Sequence, residues 1–159
     1  MSFANKRKFH RLMLAEPLYG TLKIVGLNEK KLDSKLAHMF ILDLGAGGVR
    51  IHSVHSFPVT PDLLLEFGFT LFHTDHRYLG TITRKSSHSD KVFEYGIAFS
   101  LDETERQRLL QSIHLLSIRL RQGAELSSCS FCNDEQYASF YGVSLSESIS
   151  ADRPGRISR

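Results

Sequence analysis

The sequence predicts a mainly β domain: six short strands forming a small antiparallel barrel or sandwich, with one amphipathic helix behind them. Period-two patterns dominate roughly the first hundred residues, and Gly, Pro, Asn, Asp or Ser punctuation bounds each of them. From Asp102 the hydrophobic period changes to that of a helix. Strands followed by a single helix, in a chain of 159 residues, describe one domain that can bury a core without disulfide staples.

The clearest strand is LLLEFGFTLF. Leu63, Leu65, Phe67, Phe69 and Leu71 alternate there with Leu64, Glu66, Gly68, Thr70 and Phe72, which predicts one thoroughly buried face. FEYGIAF repeats the theme, with Phe93, Tyr95, Ile97 and Phe99 on one side and Glu94, Gly96 and Ala98 on the other. Weaker strands are expected at Leu18 to Val25, Ala37 to Asp43, Val49 to Val54 and Tyr78 to Arg84.

Between Asp102 and Gln122 the stripe Leu109, Ile113, Leu116 and Leu120 has helical spacing, widened by Leu110 and interrupted by Ser117. Asp102 suits the N-cap, acidic residues fill the first turn, Arg119 and Arg121 fit the C-terminal end, and Gly123 fits the stop. The stripe covers a barrel face or meets a partner's helix, and packing within the chain is the expected use. Beyond Gly123 the composition turns to Ser, Asp, Glu and Gly. Residues 1–122 are therefore expected to form the barrel with its basic N-terminal arm and trailing helix, and 123–159 a polar extension, at least partly disordered at SADRPGRISR. SFYGVSLSESI is a candidate for one more short element, left unassigned.

A formal charge of +3 is too small for a binder whose affinity comes from many phosphate contacts, so direct nucleic-acid binding is not expected and any polyanion recognition must be local. There is no apolar run long enough to span a bilayer, and MSFANKRKF lacks a signal peptide's apolar segment. These features predict a cytoplasmic protein without membrane insertion, in which Cys129 and Cys132 stay reduced.

Two stretches carry chemistry. RKFHR places Arg7 and Arg11 four positions apart, flanked by Lys6 and Lys8, on what reads as an arm ahead of the first strand. ILDLGAGGVRIHS ends an apolar run at Asp43, follows it with Gly45, Gly47 and Gly48, and restarts a strand at Val49. Alone, the second stretch is a glycine turn between strands, and it is no dinucleotide fingerprint because no helix follows.

Taken together, Arg7-x-x-x-Arg11, the turn Asp43-x-Gly45-x-x-Gly48, and the later strand Tyr95-Gly96-x-x-Phe99 resemble, in their order, the motifs of the PilZ domain family. The resemblance runs from about Lys6 to about Gln122. It implies a six-stranded barrel that binds the bacterial second messenger cyclic di-GMP through Arg7, Arg11, Asp43, Gly45 and Gly48. Lys6 stands where the family's residue influences whether one nucleotide or a stacked pair is held. The chain departs from the family at Gly45, where Ser or Ala is usual, so no hydroxyl is available there. The chemistry fits: two phosphates and two guanines call for cationic forks and for an acceptor facing the guanine N1 and N2 protons. Arg7 and Arg11 supply the forks, Asp43 the acceptor, and Gly48 would let the loop backbone approach the base plane.

Other constellations are weaker. Cys129-x-x-Cys132 is half of a zinc knuckle or a redox pair, without a second Cys pair or a βαβ context. His52 with His55, and His73 with His76, are spaced by three, which on a straight strand puts the rings on opposite faces. No metal site, no cofactor and no catalytic residue is assigned, since no nucleophile elbow presents any of the Ser, His or Asp side chains. The expected function is a non-enzymatic receptor that changes conformation on binding cyclic di-GMP and signals to a protein partner. The alternative is a PilZ-type interaction module that works without ligand.

Overall fold

The structure, a computed structural model, describes residues 11–142. Seven strands appear in chain order: β1 (Arg11–Leu27), β2 (Lys30–Lys31), β3 (Ala37–Gly45), β4 (Gly48–Ser53), β5 (Leu63–Leu71), β6 (Thr74–Ser87) and β7 (Phe93–Ser100). Two helices follow, α1 (Glu103–Arg121) and α2 (Asp134–Tyr141). The sheet runs β1-β3-β4-β7-β6-β5 and closes through pairing of β1 with β5, every pair antiparallel; β2 is a two-residue addition to β1. Six strands thus form a closed barrel, with no unpaired edge among them.

The period-two pattern fills the barrel as the sequence predicts. Leu63, Leu65, Phe67, Phe69 and Leu71 of β5 all lie in the main core, with Val49 and Ile51 of β4 and Tyr95 and Ile97 of β7. α1 starts at Asp102 in a reciprocal capping box with Glu105, and Gly123 takes a left-handed conformation just past its end. Leu109, Ile113 and Leu116 join the same core, so the stripe packs within the chain. Each contributes roughly 1.5–3 kcal/mol of transfer free energy.

β1 departs from expectation. Among the described residues it runs from Arg11, seven residues before the predicted Leu18, so Arg11 lies in a strand and not in a loose arm. The register with β3 shifts between Met13 and Leu18, across Glu16 and Pro17. Pro17 has no N–H to donate, and the irregularity breaks the alternation that marks a strand in sequence. Arg7 and Lys6 lie outside the described residues, as do the tail SADRPGRISR and most of SFYGVSLSESI.

Beyond α1 the chain returns across the barrel. Ser130 accepts from Tyr19 N–H at 2.7 Å, Cys132 N–H donates to the Pro17 carbonyl at 3.0 Å, and Phe131 bridges to Leu18. The register break in β1 is where this segment attaches. Cys129 is buried in the main core, and neither cysteine forms a disulfide among the described residues. α2, capped by Asn133 and Gln136 and ended by left-handed Gly142, then sets Tyr137, Phe140 and Tyr141 on Phe40, on the outer side of β3.

Candidate functional site

The site is built by three cross-strand steps. Strict alternation along β3 would place Met39, Ile41 and Asp43 on one face, toward the core. A register shift between Ile41 and Asp43 re-aims the chain, so that Leu44 enters the core instead and Asp43 turns outward. There Asp43 stands directly opposite Arg50 of β4, Arg50 opposite Gly96 of β7, and His52 opposite Glu94. Directly paired residues share a face, as do i and i+2 along one strand, so Asp43, Arg50, His52 and Glu94 converge.

Arg11 completes the group from β1, where it pairs in register with Gly45. Arg11 Nη1 donates to Asp43 Oδ1 at 3.1 Å and Arg50 Nε donates to Oδ2 at 3.0 Å. Asp43 is only 2% exposed, and each of its oxygens holds one guanidinium. Arg50 Nη1 also donates to Glu94 Oε1 at 3.2 Å, and Arg84 Nη1 lies 4.0 Å from Oε2. Three guanidinium groups against two carboxylates leave this rim net cationic.

The line continues to α2. His52 is 3% exposed, with Nε2 3.0 Å from Glu94 Oε1 and Nδ1 2.6 Å from the Tyr141 hydroxyl. Burial, opposed by the hydrogen bond to Glu94, pushes the imidazole pKa down to about 4, so the ring is neutral at physiological pH. An ionised Glu94 can only accept, so Nε2 carries the proton and Tyr141 O–H donates to Nδ1. Burial alone would raise the Glu94 carboxyl; the hydrogen bond from His52 and the Arg50 charge outweigh it and hold its pKa below the usual value. Arg11, Asp43, Arg50, Glu94, His52 and Tyr141 thereby form one continuous chain of polar contacts.

Of the residues singled out in the sequence, Arg11, Asp43 and Gly45 are brought together, although Arg11 and Asp43 are 32 positions apart. Gly48 is explained by packing: a Cβ there would overlap the Ile97 carbonyl oxygen, so glycine is what lets β4 lie against β7. The strand motif divides in two. Tyr95 is buried and donates to the His55 carbonyl at 2.6 Å while accepting from Phe57 N–H at 2.8 Å, pinning the loop before β5. Gly96 leaves room for Arg84, whose guanidinium nitrogens lie 3.1 Å from where a Cβ would be. Sequence reasoning misses Arg50, Glu94 and Tyr141, and it weighs His52 only with His55, which β4 does not bring into this group. Arg50 and His52 share a strand face with Gly48, which is the sequence signal that points to Arg50; Glu94 and Tyr141 carry none.

Neither a family model nor a curated protein matches the sequence. Solved structures do match the fold. YcgR from Escherichia coli in complex with c-di-GMP is 14% identical with a TM-score of 0.54, over 75% of this chain and 49% of that one. The PilZ domain of YcgR with c-di-GMP, from the same organism, is 12% identical with a TM-score of 0.54, over 75% and 97%. The K. pneumonia MrkH–c-di-GMP complex is 14% identical with a TM-score of 0.54, over 76% and 56%. The chain spans about half the length of YcgR and nearly all of its isolated PilZ domain, and its fold is the PilZ fold.

Proposed function

We propose that this chain is a non-enzymatic, cytoplasmic receptor for cyclic di-GMP, which it binds at the rim where Arg11 meets Asp43 and Gly45. Arg7 joins Arg11 in gripping phosphate or the guanine O6 and N7 edge, with Lys6, next to Arg7 in sequence, as a further candidate contact. Gly45 and Gly48 bound the turn that follows Asp43 between β3 and β4. The observation that carries the reading is the contact of the two arms of the motif, Arg11 Nη1 to Asp43 Oδ1 at 3.1 Å, on a net cationic rim of a fold whose solved relatives hold c-di-GMP.

Binding works by exchange of partners. Guanine N1 and N2 protons compete with the two guanidinium groups for Asp43, while a ligand phosphate offers Arg11 a better counter-charge. Arg50 loses its hold on Asp43 Oδ2 and turns toward Glu94, which then accepts less strongly from His52. The Tyr141 hydroxyl is the last partner in that line, so residues 1–122 sense the ligand and α2 presents the response to a partner protein. A ligand moves such an equilibrium only through a difference in contacts between the two states, and Asp43 supplies it.

A second reading is favoured by the burial of Asp43 and the occupation of both its oxygens. In that reading the motif is architectural and the domain is a protein-interaction module. Calorimetric titration with cyclic di-GMP separates the two. Saturable binding by the intact chain, lost in Arg11→Ala and Asp43→Ala variants that still melt cooperatively, is expected. No binding at submillimolar nucleotide would overturn the receptor and leave the module.

A further inference from the structure

Two histidines and one glutamate lie together beside α2. The ligand atoms of His52, His88 and Glu94 are all within 4.8 Å of one another, the one such group of three among the described residues. They come from three elements: His52 from β4, Glu94 from its register partner position on β7, and His88 from the turn between β6 and β7. That turn is tied down by His88 N–H donating to the Val92 carbonyl at 2.9 Å. The imidazoles of His52 and His88 have ring centroids 4.3 Å apart.

We propose that His52, His88 and Glu94 bind a divalent transition-metal ion of the zinc class. Two imidazoles and a carboxylate are a donor set that suits such ions, with a position left over for water. A tetrahedral ion held at about 2.0–2.2 Å sets its ligand atoms roughly 3.3 Å apart. The separation of His52 Nε2 from Glu94 Oε1 is 3.0 Å, so these two ligands are already spaced for it. His88 is exposed, which gives the ion a path in and gives the ring freedom to close the remaining gap.

The surroundings fit a ligating histidine. A metal-bound imidazole needs an acceptor for its other N–H, and the Tyr141 hydroxyl lies 2.6 Å from His52 Nδ1. Binding shifts the ring to the Nδ1–H tautomer, whose N–H donates to the phenol oxygen as the Tyr141 O–H rotates away, so no proton need leave the site. The ring orientation is fixed by burial and by Tyr141, whose own ring also lies against His88 at 5.8 Å. The opposing factor is Arg50, which shares Glu94 Oε1 at 3.2 Å, with Arg84 at 4.0 Å from Oε2. A dication must compete with these guanidinium groups for the carboxylate, which weakens its binding.

The proposal does not rest on nucleotide binding, since neither Arg11 nor Asp43 is a ligand. The test uses the full chain with any affinity tag removed and metal stripped by chelator, titrated with Zn²⁺ against a chromophoric indicator. The intact chain should bind one Zn²⁺ and melt at a higher temperature when loaded. His88→Ala, chosen because His88 is exposed, should melt unchanged when metal-free yet bind at least roughly tenfold more weakly. A Cys129→Ser/Cys132→Ser variant should bind as the intact chain does. Absence of binding at submillimolar zinc, equal affinity in His88→Ala, or loss of binding only with the cysteines would each overturn the site.

Discussion

Replacing Arg50 with Met removes the guanidinium that joins Asp43 to Glu94 and keeps most of the aliphatic stem. Two charge-assisted contacts disappear, Nε to Asp43 Oδ2 at 3.0 Å and Nη1 to Glu94 Oε1 at 3.2 Å. Stranding a buried charge by removing its partner costs about 3–5 kcal/mol. Asp43 is 2% exposed, so water does not replace the lost donor, but Arg11 still holds Oδ1 and reduces the loss to about 2 kcal/mol. Glu94 is 20% exposed and keeps His52, which limits its share to about 0.5–1 kcal/mol. A total near 3 kcal/mol lowers the melting temperature of a domain this size by roughly 8–12 °C. Urea unfolding of the two proteins, with the midpoint shifted and the slope unchanged, measures it. A loss under about 1 kcal/mol would show that Asp43 is well solvated and that the Arg11–Asp43–Arg50 cluster does little for the fold. The same variant should still bind cyclic di-GMP through Arg7 and Arg11 while amide exchange in α2 no longer responds to it. Retained response would refute the route through Arg50.

Arg11→Ala should weaken cyclic di-GMP by about ten to a hundred and fifty fold, the worth of a charge-assisted contact, and should also lower the melting temperature because Arg11 is a strand residue paired with buried Asp43; unchanged affinity by calorimetry would sink the assignment. Gly45 is not among the left-handed glycines, so Gly45→Ser should bind equally well or tighter by up to roughly 1 kcal/mol, and lost binding with an intact fold would show that the turn works differently. Gly48→Ala should destabilise by about 1–3 kcal/mol or more through overlap with the Ile97 carbonyl, whatever the ligand, and an unchanged thermal midpoint would contradict that packing. The pH dependence follows from His52, whose pKa of about 4 in the fold lies below its ordinary 6.5. The unfolded chain then binds more protons between those values, so stability falls as pH drops from about 6.5 to 4, by up to roughly 3 kcal/mol. Glu94, held below its ordinary value, loses its contribution in the same direction as pH falls further. In chelator-treated protein, His52→Gln should flatten the upper part of this profile relative to the intact chain; identical profiles would refute it.

The strands and the covering helix are legible in the sequence alone, whereas periodicity leaves barrel and sandwich open and the pairing of β1 with β5 decides between them. Burial of one side chain in two along Leu63 to Leu71, and of Leu109, Ile113 and Leu116 at helical spacing, are local consequences of strand and helix geometry, so periodicity records them directly. Arg11, Asp43 and Gly45 could be marked as candidate site residues because their spacing within each motif is local as well. Tertiary structure decided what those residues touch. The register breaks at Pro17 and beside Asp43 conceal the first half of β1 and turn Asp43 out of the core, and a break is settled by pairing with other strands, not by the residues that make it. Arg50, Glu94, His52, His88 and Tyr141 meet only because β4 lies beside β7 and α2 folds back over β3. Those five positions span 92 residues from first to last, counted from Arg50 to Tyr141 inclusive, and no local pattern can encode a contact made across that distance by closing a barrel.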